Sequence, residues 1–183
     1  MLTKIDAVLQ EAILALPQKE KDKLLLRLIR KDKTLINQLH FQLLEDESDL
    51  LARRDGTIAE LDDTLYQMEA RLESKRYYTA KDFLKALRAL SGIVNQHVLI
   101  TKDKLGEVEL RLHILSETFR MAPEYFQDTA FGNEKLLQYV AGRIKNLLTS
   151  FEKLHEDLQY DYQDAVEEVV QFAELSGFIG RTM

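Results

Sequence analysis

Residues 137–158 read LQYVAGRIKNLLTSFEKLHEDL, and their large apolar side chains recur at alternating steps of three and four residues. This spacing keeps the side chains on one stripe of a long α-helix. The stripe consists of Leu137, Val140, Ile144, Leu147, Phe151, Leu154 and Leu158. A stripe of this length has to be covered by other helices in a protein that folds in water. The stretch therefore predicts a helical bundle.

Two earlier segments carry stripes with the same spacing. The first consists of Ile58, Leu61, Leu65, Met68 and Leu72, and the second of Leu105, Val108, Leu112, Leu115 and Phe119. Three matching stripes predict an all-α bundle of about six to seven helices, with long antiparallel C-terminal helices and a short N-terminal helical pair. We expect one domain over residues 1–178, with N-terminal helices in 1–54, middle helices in 57–121, a long C-terminal helix in 133–176 and a tail in 179–183.

The composition narrows the class of protein. Of the 183 residues, 45% are hydrophobic and 31% are charged, which excludes a disordered chain. Only 7 Gly and 2 Pro are available for turns, so the helices should be long. The absence of cysteine excludes disulfides, thiol catalysis and cysteine-ligated zinc. No run approaches the ~18 apolar residues of a membrane span, and we expect a cytoplasmic protein without a membrane partner.

Turn-forming residues predict where the helices end. The first helix runs from about Ile5 to Leu16, with Thr3 as its N-cap, and ends at Pro17. Asp32 is placed to cap a third helix that continues to about Arg54. Gly56 suits a left-handed position after that helix, and Thr57 with Glu60 forms a capping-box pattern. The chain is therefore expected to reverse at Asp55-Gly56-Thr57.

Further along the chain, Thr79 and Asp82 mark the start of the next helix. Thr101 fits either an N-cap or a position on the apolar stripe, and we favour a break there between two helices. A short aromatic segment contains Tyr125, Phe126 and Phe131. Gly132 and Asn133 follow it and have the pattern of a C-cap followed by an N-cap. From there, one helix is expected to run from Glu134 to Ser176 and to end at Gly177.

The second helix contains an unusually dense apolar run. Leu24, Leu25, Leu26, Leu28 and Ile29 cover too much of its circumference for a one-sided surface helix, so we expect this helix to be packed on two sides. Residues 16–32, LPQKEKDKLLLRLIRKD, resemble the start of an uncharacterised bacterial all-helical family of about this length. The resemblance implies a helical fold and a bacterial origin. It implies no function and no catalytic residues.

Four carboxylates form the most specific candidate metal site. Asp46 and Asp49, then Glu60 and Asp63, are similar to the paired Glu-x-x-Glu and Glu-x-x-Asp motifs of all-α nucleotide pyrophosphohydrolases, which hold Mg²⁺ between antiparallel helices. A reversal at Asp55-Gly56 would bring Asp49 opposite Asp62 and Asp63, and carboxylate oxygens from two helices suit Mg²⁺. Glu60 and Asp63, however, point roughly 120° away from the apolar stripe. The alternative is a solvated acidic face.

Two other sets of metal-binding residue types are incomplete. Glu152 and His155 match half of a di-iron carboxylate motif, but the chain contains no second Glu-x-x-His. Glu109, His113 and Glu117 lie four residues apart, and this spacing favours an exposed ladder of side chains over a chelating site. His40 and His97 border apolar stripes and are expected to be ordinary residues at the edge of the core.

Charge is distributed in blocks along the chain. A basic ridge of Lys19, Lys23, Arg27 and Arg30 and the segment Lys75-Arg76-Tyr77-Tyr78 could contact phosphates or bases. The net charge of −6 and the large acidic blocks argue against a nucleic-acid partner. Asp161, Asp164, Glu167 and Glu168 form an acidic face on the last helix, which could meet a basic partner.

We therefore expect a non-enzymatic helical interaction or scaffolding module without a cofactor. Its partner is another protein or a second copy of the chain in a homo-oligomer. An alternative is an Mg²⁺-dependent enzyme similar to the all-α nucleotide pyrophosphohydrolases, with Asp46, Asp49, Glu60 and Asp63 as ligands. A second alternative is a helical nucleic-acid-binding protein.

Overall fold

A computed structural model describes residues 5–74, 78–127 and 132–180. Within these ranges the chain forms nine helices and no strand, which confirms the all-α bundle fold. The chain divides into two compact units, Met1–Glu45 and Asp46–Met183. The single domain over 1–178 stays a prediction.

The first unit contains α1 (Ala7–Ala15), α2 (Gln18–Ile29) and α3 (Lys33–Leu44). Thr3 lies outside the described residues, and the N-cap of α1 is Asp6, whose carboxylate accepts from the Val8 N–H. Asp32 caps α3 as predicted, with its Oδ1 3.0 Å from the Leu35 nitrogen. Helices α2 and α3 pack against each other.

The second unit contains α4 (Glu47–Glu73), α5 (Ala80–Thr101), α6 (Lys104–Met121), α7 (Glu124–Gln127), α8 (Glu134–Phe151) and α9 (Glu156–Leu175). The capping box predicted at Thr79 and Asp82 is present at the start of α5. The break favoured near Thr101 is confirmed. Lys102 adopts a left-handed conformation with φ 58° between α5 and α6, and Asp103 caps α6.

Helix α6 lies at the centre of the second unit and packs against α4, α5, α8 and α9. Its buried apolar side chains point in several directions, since Val108, Leu110, Leu112, Ile114, Leu115 and Phe119 are all at most 6% exposed. A helix that buries most of its circumference has to be surrounded. Most of the core of the unit is therefore built on α6.

The reversal predicted at Gly56 is wrong, because α4 continues without interruption from Glu47 to Glu73. The chain turns ten residues earlier, where Asp46 caps α4 and forms a capping box with Asp49. Thr57 forms no cap, and its hydroxyl donates to the Arg53 carbonyl at 2.8 Å. A glycine inside a helix costs only about 1 kcal/mol relative to alanine. Burial of Leu61, Leu65 and Met68 and the cap at Asp46 outweigh that cost.

The long helix predicted from Glu134 to Ser176 is also wrong as a single element. It is interrupted at residues 152–155, where Glu152 ends α8 and His155 caps α9. Leu154, which lies between the two helices, is only 8% exposed. The interruption lets this side chain reach the core. The interruption at residues 152–155 and the one-turn α7 raise the number of helices in the described ranges above the expected six to seven.

The remaining turns agree with the sequence. Gly132 and Gly177 have φ of 73° and 78°, the left-handed region in which glycine is favoured. Asn133 precedes α8, but its side chain donates to the Tyr125 carbonyl and does not cap the helix. Phe131 lies outside the described residues. None of the helices in the described ranges combines the length and apolar character that a membrane span requires.

Candidate interaction surfaces

The four carboxylates of the predicted Mg²⁺ site all belong to the N-cap and body of one helix, α4. Ten residues of continuous helix lie between Asp49 and Glu60, and the eleven steps from one to the other correspond to about 16 Å along the axis. Asp46 and Asp49 bond to each other's backbone N–H groups, and hydrogen bonds, chiefly from the Ser48 hydroxyl, hold the pKa of Asp46 below its ordinary value. Glu60 and Asp63 are exposed. The structure therefore does not bring the two pairs together.

The other carboxylate and histidine sets form no shared metal site among the described residues. Glu152 ends α8 and the exposed His155 starts α9. In the ladder on α6, Glu109 pairs with Arg54, His113 lies 2.6 Å from an Asp62 oxygen, and Glu117 pairs with Arg120. Each of the three side chains thus has its own partner, and two of these partners, Arg54 and Asp62, belong to α4. Within the described ranges no group of three or more His, Asp or Glu side chains could hold a metal ion.

A largely buried polar cluster connects four helices at one end of the second unit. It consists of Arg54 and Thr57 from α4, His97 from α5, Glu109 from α6, Tyr162 from α9, and the α6 cap Asp103. The Arg54 guanidinium donates to Asp103 at 2.8 and 3.1 Å and to Glu109 at 2.7 Å. The side chains of Arg54 and Asp103 are 12% and 5% exposed. This cluster fastens α4, α5, α6 and α9 together.

The pKa values of two members of the polar cluster, Asp103 and Tyr162, depart strongly from their ordinary values. Burial alone would raise the pKa of Asp103, but hydrogen bonds from His97, the Gly106 N–H and Arg54 outweigh burial and lower it to about 2. Burial and a hydrogen bond donated to Glu109 raise the pKa of Tyr162 to about 12. Gly106 leaves room for this arrangement, since a Cβ there would lie 2.1 Å from an Asp103 oxygen. The cluster is tightly packed, with Asp103 ionised and Tyr162 neutral at pH 7.

Thr57, His97 and Asp103 lie in a row that superficially has the order of a nucleophile, a base and an acid. The distances are 3.2 Å from the Thr57 hydroxyl to His97 Nδ1 and 3.4 Å from His97 Nε2 to Asp103. The hydroxyl proton of Thr57 is engaged by the Arg53 carbonyl, and His97 is only 6% exposed. A nucleophile needs a free hydroxyl that substrate can reach. This row is therefore structural.

The N-terminal unit exposes an extensive apolar surface. None of residues 5–45 is buried, although the expected two-sided packing of the leucine run in α2 would bury several of them. Leu25, Leu26 and Leu28 are 57%, 55% and 52% exposed. We define the N-terminal apolar surface as the large apolar side chains at least 40% exposed: Ile5, Val8, Leu9, Leu14, Leu25, Leu26, Leu28, Ile36, Leu43 and Leu44.

Helix α1 is the most apolar part of this surface. Its sequence, AVLQEAILA, has only Gln10 and Glu11 as polar residues, and a groove of about 440 Å³ runs along Ile5, Gln10, Ile13 and Leu14. A helix that is apolar all round is normally covered on several sides. Exposed apolar areas of this kind mark sites of protein association.

The basic ridge on α2 is exposed and borders the same surface, since Lys19, Lys23, Arg27 and Arg30 all face solvent. Acidic residues interleave with it, and Asp22 accepts a hydrogen bond from Gln18 at 2.8 Å. In the second basic candidate, Lys75, Arg76 and Tyr77 lie outside the described residues. The hydroxyl of Tyr125 donates to the Tyr78 carbonyl, so the backbone of Tyr78 is tied to the bundle.

Two cavities are lined by described residues of the second unit. The larger, about 560 Å³, is an open groove between α8 and α9 with Leu148, Phe151, Val166 and Val170 among its lining residues. The smaller, about 20 Å³, lies beside Ser91, Tyr139 and Arg143 and has room for about one water molecule. Of these two cavities, the groove is large enough to receive a side chain or a helix face.

Comparison of the chain with protein-family models, with curated protein sequences and with solved structures gives no match. The likeness of residues 16–32 to a bacterial helical family therefore stays a prediction. The function has to be argued from the surfaces described above.

Sequence reasoning missed the polar cluster because its members are far apart in the chain. Arg54 was placed next to a predicted turn, and Glu109 was placed on an exposed ladder. One signal was present: Asp103 follows Thr101 and precedes an apolar stripe, which is the pattern of an N-cap. Nothing local in the sequence indicated that Arg54 would bond to this cap.

Proposed function

We propose that this protein is a helical interaction module that associates with a second copy of itself through the N-terminal apolar surface. The observation that carries the proposal is the exposure of ten large apolar side chains in a unit that buries none of its residues 5–45. A unit of this size can bury only a small core, and chains below about 40 residues usually need disulfides, a metal or oligomerisation. The chain has no cysteine, and oligomerisation meets the need.

Charge supports a second copy as the occupant of this surface. Residues 1–45 contain eight Lys and Arg and six Asp and Glu, a net charge of +2. Residues 46–183 contain 17 basic and 25 acidic residues, a net charge of −8. Two N-terminal units therefore repel each other little. Their interleaved acidic and basic residues suit a two-fold interface, in which the same patch has to complement itself.

Sedimentation velocity of the full chain tests this proposal over a range of concentrations. We expect a dimer for the unmodified protein and a monomer for the double variant Leu25→Asp, Leu28→Asp. Both leucines are more than half exposed, so the fold should tolerate the change. Removing about 1 kcal/mol of apolar burial for each of four leucines weakens a dimer roughly a thousandfold.

The control is Tyr66→Asp, which places one such carboxylate on a large side chain that is 73% exposed on α4, outside the N-terminal apolar surface. The control is expected to dimerise as the unmodified protein does. A monomer at every concentration of the unmodified protein, or a dimer that both variants leave intact, would contradict the proposal.

The structure gives no specific support to the alternatives. The enzymatic alternative needs the carboxylates of α4 in one place, and about 16 Å of helix separates Asp49 from Glu60. The nucleic-acid alternative has only the basic ridge of α2 within the described residues, and Glu20 and Asp22 interrupt that ridge.

A further inference from the structure

Helix α9 combines an apolar groove with an excess of acidic residues. Between Glu156 and Leu175 it contains seven Asp and Glu residues and no Lys or Arg. Among the ion pairs of the described residues, none joins a Lys or Arg to Asp161, Asp164, Glu167 or Glu168. These carboxylates lie along the exposed side of the helix. A partner that covers this face has to bring positive charge.

The groove between α8 and α9 supplies the apolar contact area. Leu148 and Phe151 reach it from α8, and Val166 and Val170 reach it from α9. Val166 is buried at 4%, whereas Leu148, Phe151 and Val170 are half-buried. The lining is thus an extension of the core that remains open to solvent on one side.

The polar side chains around the groove are amides and carboxylates. Gln159, Gln163, Glu167, Gln171 and Glu174 follow one another along α9 at steps of three or four residues. Glu167 accepts a hydrogen bond from Gln163 at 2.7 Å, and Asp164 lies three residues before Glu167 on the adjacent part of the helix surface. Among the residues that the structure describes, no Lys or Arg lines this groove.

The dimensions of the groove select a helix. The sixteen residues from Gln159 to Glu174 span about 22 Å, the length of roughly four helical turns. An amphipathic helix binds in such a groove through apolar residues spaced three and four apart. We propose that the α8–α9 groove docks a basic amphipathic helix of a partner protein, with its apolar stripe on Leu148, Phe151 and Val170 and its Lys or Arg residues beside Asp164 and Glu167.

Two synthetic helical peptides of 18 residues test this proposal by fluorescence anisotropy with the full-length protein. Both carry leucines at steps of three and four, and they differ only in having Lys or Glu at the flanking positions. We expect the Lys peptide to bind at least ten times more tightly than the Glu peptide, with an affinity that falls as salt is raised.

The variant Asp164→Lys, Glu167→Lys is expected to weaken binding of the Lys peptide at least tenfold. The control Glu60→Lys, Asp63→Lys makes the same change in net charge at exposed positions of α4 and should alter binding less than twofold. Circular dichroism verifies that both variants keep the helical fold.

Binding of the Lys peptide equally by both variants would show attraction to the net charge alone and would overturn the proposal. Equal binding of the Lys and Glu peptides, or no binding of either, would do the same. These measurements leave the N-terminal apolar surface unchanged, so their outcome is independent of the proposed self-association.

Discussion

At the scale of single residues, Arg54 is the side chain on which the polar cluster depends. It is 12% exposed and neutralises both Asp103 and Glu109. Arg54→Met keeps most of the apolar stem but leaves two largely buried carboxylates without their cation. Removing one partner of a buried ion pair costs about 3–5 kcal/mol. We expect a loss of this size in the free energy of unfolding measured with urea.

The matched control is Arg120→Met. Its guanidinium pairs with Glu117 and Glu69 but is 59% exposed. An exposed pair contributes at most about 1 kcal/mol. Equal losses in the free energy of unfolding would show that the buried ion pairs of Arg54 stabilise the fold no more than the exposed ones of Arg120.

The same cluster predicts how stability depends on pH. The pKa of Asp103 is about 2 in the folded chain and 3.8 in an ordinary carboxyl group. Because the folded value is the lower one, the ionised carboxylate stabilises the fold fully above pH 4, and this contribution of about 2 kcal/mol disappears as the pH falls from 4 towards 2.

Unfolding of the unmodified protein and of Asp103→Asn at several pH values between 2 and 5 measures this effect. The variant should be less stable at pH 5 and should show a shallower decrease on acidification. Parallel curves for the two proteins would rule out Asp103 as a source of the pH dependence.

The sequence could predict contacts between residues close together in the chain, but not contacts between distant residues. Caps were predictable at Asp32 and Thr79 because each cap bonds to a backbone N–H three residues away. The bond from Arg54 to Asp103 spans 49 residues, and its formation depends on how α4 meets the turn between α5 and α6. Sequence patterns over a few residues do not show how α4 packs against that turn.

At the scale of elements, the apolar stripes of α4, α6 and α8 were predicted, whereas two helix ends were not. Gly56 is ambiguous because glycine is favoured after a helix and tolerated within one. The interruption at residues 152–155 follows from the burial of Leu154, which only the packed structure determines. Local propensity thus predicted the helices better than their ends.

Gly56→Ala distinguishes a continuous α4 from a reversal at this position. A Cβ on Gly56 would meet no atom within 4 Å. In a helix interior, alanine in place of glycine stabilises a protein by about 0.4–1 kcal/mol. We therefore expect a higher melting temperature for this variant.

Gly177→Ala serves as the opposite case, because Gly177 has φ of 78° and alanine is strained there. This variant should lose about 1–2 kcal/mol. Destabilisation by Gly56→Ala of the same size would indicate a left-handed Gly56 and contradict the continuous helix.

At the scale of the whole molecule, all of the buried apolar residues within the described ranges lie between Leu61 and Ala173. The second unit therefore contains its complete core. We expect the fragment 46–183 to be helical and to unfold in one cooperative transition, within about 1 kcal/mol of the full chain at equal concentration. Thermal unfolding followed by circular dichroism measures this.

A fragment that is unfolded or melts without cooperativity would show that residues 1–45 are needed for the core. The sequence predicted the bundle itself, because three long stripes require mutual burial. It did not predict that the dense leucine run of α2 would remain exposed, because burial depends on the partner that the helix finds.

The enclosed position of α6 determines which backbone amides exchange with solvent last. Its backbone amides are shielded by four neighbouring helices, so they can exchange with deuterium only when the unit opens as a whole. The slowest amide protons should therefore report the global unfolding free energy, while those of the peripheral helices exchange through smaller openings. In hydrogen–deuterium exchange followed by mass spectrometry, α6 should be the last helix to take up deuterium.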